Sequence, residues 1–196
     1  PHRASRPRHE SEKHNPESGA DRDFKPDIEV KHGDVVEGAG WALEAVATPG
    51  HTANHLAFAW RERKINFVGD HVMGWSTSIV APPDGSMVDY MASLETLAAR
   101  DEDLYFSGHG PEIPDAQRYV RFLTRHRHAR EASILHRLAK GEADIPTIVR
   151  AVYIGIDPRL TNAAGYSVLA HLEDLAGRGV VATDGDPVIG GNYRLV

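Results

Sequence analysis

Three short segments carry side chains able to hold a metal ion or move a proton: Thr48-Pro49-Gly50-His51-Thr52-Ala53-Asn54-His55, Phe67-Val68-Gly69-Asp70-His71 and Ser107-Gly108-His109-Gly110-Pro111. In each, an imidazole or a carboxylate stands directly behind a glycine, where the backbone can turn sharply and approach a neighbour closely. Residues of strand character precede each segment, and a strand fixes the position of a group at its tip. Neutral imidazoles and carboxylates bind divalent cations, and imidazole also exchanges protons near neutral pH. With twelve histidines and no cysteine among 196 residues, any metal must sit on His, Asp or Glu. Thiol nucleophiles, iron–sulfur clusters, thiolate zinc fingers and disulfide scaffolds are excluded. A serine nucleophile is not supported, because Gly74-Trp75-Ser76-Thr77-Ser78 lacks the closing glycine of a nucleophile elbow.

The elements that must position these groups follow from hydrophobic periodicity. Residues 1–27, with four prolines and six basic against six acidic groups, predict a flexible arm. From Ile28 the pattern alternates: Ile28 and Val30, then Trp41, Leu43 and Ala45, then Leu56, Phe58 and Trp60, then 64–69, with Trp41, Phe58 and Trp60 expected in the core. Met87, Tyr90, Met91, Leu94 and Leu97 recur at helical spacing over 86–99, and 104–107 is a further strand. A long helix is expected over 114–140. Beyond it come a short helix from Pro146, a helix from an N-cap at Thr161 to about residue 176, and strands at 180–183, 187–189 and 193–196 joined by glycine turns. Two helices followed by such a ribbon describe a winged helix.

With these residues in order, the chain resembles the metallo-β-lactamase superfamily, binuclear zinc hydrolases with an αββα sandwich. The three segments look like the third, fourth and fifth metal motifs of that family. The tail, including Ile145-Pro146-Thr147-Ile148-Val149 and Ser167-Val168-Leu169-Ala170-His171-Leu172, is similar to that of the winged-helix branch, which includes a mitochondrial lactamase-like endoribonuclease and its bacterial homologues. The resemblance implies an α/β fold, the C-terminal half of the sandwich, followed by a mostly α winged-helix domain. It divides the chain into an arm (1–27), the half-sandwich (28–125) and the winged helix with its connecting helix (126–196). It assigns His51 to one zinc and His109 to the other, makes Asp70 the bridging carboxylate, and places His55 and His71 beside the ligands as supporting or packing groups. A bridging aspartate screens two cations that otherwise repel, and paired zinc ions generate hydroxide near neutral pH and polarise a scissile carbonyl or phosphoryl group.

The family's His-x-His-x-Asp-His string is absent. His126-Arg127-His128 continues with Ala129-Arg130 inside the long helix and does not replace it. Three ligands spread over two zinc positions predict weak metal binding or none, and no catalytic residue is assigned. The chain, which opens on Pro1, is therefore expected to be the C-terminal part of a longer hydrolase, inactive alone. The complete enzyme would act on an ester, thioester, lactone or phosphodiester. An RNA-processing endoribonuclease of the same fold, or a non-catalytic interaction or oligomerisation module, are the alternatives.

Expected partners are a small-molecule or RNA substrate, the missing N-terminal half, and a second copy of the chain. Residues 141–196 hold four basic against seven acidic groups, the wrong sign for duplex DNA. Residues 115–140 hold seven basic against two acidic groups, and Arg118, Arg121 and Arg125 share one helix face as candidate anion contacts. No run of about 18 apolar residues and no signal peptide occur, so no membrane partner and a cytoplasmic location are expected.

Overall fold

The computed structural model describes residues 23–141 and 143–196. Residues 1–22 of the expected arm lie outside these, and 23–27 carry no regular structure. Six strands form one sheet in chain order: β1 (Val35–Gly38), β2 (Trp41–Ala47), β3 (Leu56–Trp60), β4 (Ile65–Gly69), β5 (Leu104–Ser107) and β6 (Ile113–Pro114). All neighbours pair antiparallel except β4 and β5, which are parallel. A parallel pair requires a crossover, and α1 (Met87–Ala98) provides it. Ser86 caps α1 by accepting from the Asp89 amide at 3.3 Å, and Met87, Tyr90, Leu94 and Leu97 form its buried face.

The strand expected at Ile28 and Val30 is not formed. Ile28 is 76% exposed, and the first strand begins at Val35, where a partner in β2 exists. The expected core aromatics also need correction. On β3 the face that packs against the helices carries Ala57 and Ala59, both fully buried, while Leu56, Phe58 and Trp60 lie on the opposite face. That opposite face continues through Leu43 of β2, Ile65 and Phe67 of β4 and Leu104 and Phe106 of β5 by strand register. It remains partly open: Trp41 is 39% and Phe67 40% exposed.

The helix α2 (Ala116–Ala139) joins two cores. Its Val120 and Leu123 pack with α1 and the sheet, whereas Ile134 and Leu138 pack with α3 (Ile145–Val152), α4 (Thr161–Gly177) and the terminal ribbon. The boundary expected at 125/126 therefore falls inside a continuous helix. Helix α3 is capped by Asp144, whose side chain accepts from the Thr147 amide at 2.8 Å. Thr161 is the first residue of α4 rather than its cap, since a 3-10 turn at Pro158–Leu160 feeds directly into the helix. The ribbon has two strands, β7 (Val181–Thr183) and β8 (Tyr193–Leu195). The strand expected at 187–189 is a loop, held by the Tyr193 hydroxyl donating to the Val188 carbonyl at 2.7 Å.

Candidate functional site

Strand direction places the three motif residues together. β2, β4 and β5 run the same way, because two antiparallel steps separate β2 from β4 and a parallel step joins β4 to β5. His51, Asp70 and His109 each follow the C-terminal end of one of these strands, so all three reach the same sheet edge. They line one cavity of ≈ 480 Å³. His109 Nε2 stands 3.5 Å from Asp70 Oδ2, and Asp70 Oδ1 is buried without a hydrogen-bond partner. His51 Nδ1 donates to the Ile79 carbonyl at 2.7 Å, which makes Nε2 the ring nitrogen able to take a cation.

Close approach explains the glycines. Gly108 passes so near Asp70 that a Cβ there would overlap Oδ1, and Gly50, at φ +129°, lies against the Tyr90 backbone of α1. The Gly108 amide donates to the Gly69 carbonyl at 2.8 Å, tying the Asp70 and His109 turns together.

His55 and His71 sit behind the cavity lining. His55 Nδ1 is 2.8 Å from Thr48 Oγ1. Its pKa is pushed down to about 4 by burial first, then by the charge of His51, against a smaller upward pull from Asp70. His71 is fully buried, its ring 4.5 Å from that of Tyr90. Burial, followed by His55, His51 and Arg127, holds its pKa well below the usual histidine value.

The far walls of the cavity were not legible as a site. Met73, Trp75 and Ile79 come from the loop after Asp70; His126, Arg127 and Arg130 from α2; Tyr153, Ile156, Leu160 and Ala164 from α3, α4 and the turn between them. Arg118, Arg121 and Arg125 are exposed and do not line this cavity. The signal that marks the inward basic face is Arg127 itself, which interrupts the buried stripe Val120, Leu123, Ile134, Leu138. It is 2% exposed, donates to the Ser78 carbonyl at 2.5 Å and lies 4.7 Å over the Tyr90 ring. Ser78 Oγ in turn donates to the Asp70 carbonyl at 2.5 Å, so α2 braces the turn that presents the carboxylate. His126 is half-buried, and burial, then Arg127 and Arg130, lower its pKa.

Whether these residues suit a metal centre is decided by the donor set. Asp70 with its orphaned buried oxygen and the adjacent His109 suit a cation. No group of three or more His, Asp or Glu that could hold an ion exists among the described residues. The chain thus presents part of a ligand set and not a closed one.

Residues 2–109 match the profile of the Metallo-beta-lactamase superfamily, and 145–191 match that of the Beta-lactamase associated winged helix domain. Beta-lactamase-like protein 2 homolog of Drosophila melanogaster is 30% identical over 148 residues, 74% of this chain and 48% of that one. Lactamase-like protein adaB of Aspergillus niger is 28% identical over 166 residues, 78% and 50% of the two chains. A metallo-beta-lactamase family protein of Thermus thermophilus superposes with a TM-score of 0.75 at 24% identity, covering 88% of this chain and 55% of that one. The chain spans about half the length of the curated relatives it matches. Strand-tip motifs, helix-covered sheet and helix–helix–ribbon tail thus agree with a profile match over more than half its residues: this chain belongs to the metallo-beta-lactamase superfamily, in its winged-helix form.

Proposed function

We propose that the chain supplies one side of a hydrolytic zinc site, with His51, Asp70 and His109 as its ligands and the remaining ligands coming from outside it. The observation that supports this most is the convergence of these three residues on one cavity at the ends of β2, β4 and β5. Zinc, when bound, supplies Lewis acidity toward a carbonyl or phosphoryl oxygen and a nucleophile at neutral pH. The chain's own part is to orient: the Ile79 carbonyl fixes the His51 tautomer, the Gly108 approach packs the His109 turn against the carboxylate, and Arg127 and Ser78 hold the Asp70 turn.

A small ester, thioester or lactone fits better than nucleic acid. Beside its polar groups the cavity has an apolar wall of Met73, Trp75, Ile79, Ile156, Leu160 and Ala164, the mixture of apolar surface and a few polar groups that small-molecule sites use. In the tail, α4, which would have to enter a DNA groove, is buried along most of its length, Ala164 to Leu172 without interruption. It packs against both α1 and α3. The test is complementation with the half that the relatives carry in addition. Zinc-dependent hydrolysis of an aryl ester, acyl thioester or lactone is expected, lost on chelation and reduced at least about a hundred-fold by Asp70→Asn. A complemented, zinc-loaded protein without hydrolysis, or an undiminished Asp70→Asn variant, overturns the proposal.

A further inference from the structure

Two arginines line the cavity on α2 against a single carboxylate, that of Asp70, in the same lining. Neither Arg127 nor Arg130 forms an ion pair among the described residues, although Arg127 is almost wholly buried. A buried cation ordinarily has an anionic partner, since desolvation is otherwise uncompensated. Each guanidinium has one hydrogen bond to a carbonyl, Arg127 to Ser78 at 2.5 Å and Arg130 to Val152 at 2.5 Å. Each also lies over a tyrosine ring, that of Tyr90 at 4.7 Å and that of Tyr153 at 4.3 Å. The Nε of both, and Nδ1 of His126 one residue away, are buried with no partner at all. Three nitrogens on residues that line one cavity thus lack an acceptor from the protein, and the charge of this α2 wall is under-compensated.

The geometry points to an anion subsite on the α2 wall, built from Arg127, Arg130 and His126, that takes the carboxylate of a small ligand whose apolar body lies against Tyr153 and Ala164. It rests on the reading of this cavity as a substrate pocket, and it makes the tail domain the specificity wall of that pocket. The charge balance favours a carboxylate. Two guanidiniums against the Asp70 carboxylate in the same lining leave one positive charge, which a monoanionic carboxylate neutralises through the guanidinium fork and a dianionic phosphate exceeds. A polynucleotide asks instead for a continuous basic groove, whereas the Arg118, Arg121 and Arg125 face lies outside this lining.

The full chain is titrated calorimetrically with 2-naphthoate, the neutral 2-naphthamide and a uridylate oligomer. Naphthoate is expected to bind more tightly than naphthamide. Arg130→Gln should weaken naphthoate by about ten-fold, the scale of one charge-assisted hydrogen bond, and leave naphthamide unchanged. Ala164→Leu, which fills the apolar end, should weaken both, and Arg121→Gln on the exposed face should weaken neither. Circular dichroism checks that each variant folds. If Arg130→Gln does not, the naphthoate-to-naphthamide ratio in the unaltered chain and the Ala164→Leu loss decide the matter. Equal binding of acid and amide overturns the proposal, as does naphthoate affinity that survives Arg130→Gln and Ala164→Leu, or preference for the oligomer. The titration needs neither metal nor complementing half. Its failure therefore leaves the hydrolytic proposal standing, and absence of hydrolysis in the complemented protein leaves the subsite standing.

Discussion

His171, 1% exposed in α4, has two buried ring nitrogens and no partner for either. Burial, and then the charges of Arg127, His126 and Arg130 on α2 and of Arg178 beyond α4, push its pKa down to about 3. Glu95 of α1, Glu131 of α2 and Asp174 of α4 line the same recess and do not reverse this. An unfolded histidine takes its proton near pH 6.5, so the unfolded chain binds more protons in acid. Stability is full above that pH and falls as pH drops toward the folded value. His171→Leu is expected to flatten this dependence, narrowing the loss between pH 7.5 and pH 5 by about 2 kcal/mol; parallel Tm-versus-pH curves for the two proteins would refute it. Among the glycines, Gly108→Ala forces the Asp70 carboxylate aside. It should cost the complemented protein about ten-fold in zinc affinity, whereas Gly190→Ala, with open space around it, should cost nothing in a chelator-competition assay.

At the scale of elements, caps and faces behave separately. Removing the Asp144 cap of α3 as Asp144→Ala should lower stability by about 1 kcal/mol, read from urea unfolding. Charge reversal of Arg118 and Arg121 to Glu should leave hydrolysis by the complemented protein intact; a selective loss of single-stranded RNA binding would favour the nuclease alternative instead. Elements with strong periodicity were legible in the sequence: β5 falls where it was expected, and α1 and α2 lie within two residues of their expected limits. The sheet edge was legible too, because glycine beside a ligand-type side chain marks a strand tip. Elements that depend on partners far away in the chain were not. Ile28 and Val30 alternate without a strand to pair with, β6 is two residues long, and residues 187–189 are held by a tyrosine hydroxyl instead of a ladder. Nor does alternation say which face of β3 is inward; the helices pack on its alanines and leave the aromatics outside. The cavity walls escaped for the same reason, since Arg127, Tyr153 and Ala164 meet only through the packing of α2, α3 and α4.

For the molecule as a whole, the open sheet face carries Phe58, Phe67 and Phe106, with the last two stacked at 5.7 Å between ring centroids. A continuous apolar face of this kind promotes association. We expect the chain to self-associate at micromolar concentration, Phe67→Lys to shift it toward monomer in analytical ultracentrifugation, and the complementing half to suppress association by covering the same surface. An unaltered chain that sediments as a monomer at all concentrations would rule this out. Because α2 threads both cores without a break, the two domains share one rod instead of a hinge. Chimeras that exchange tails between relatives have no natural seam before Gly141. Splicing there transplants α3, α4 and the ribbon but leaves the arginine-bearing wall with its original owner, so selectivity for acidic ligands and selectivity for their apolar bodies should be inherited separately.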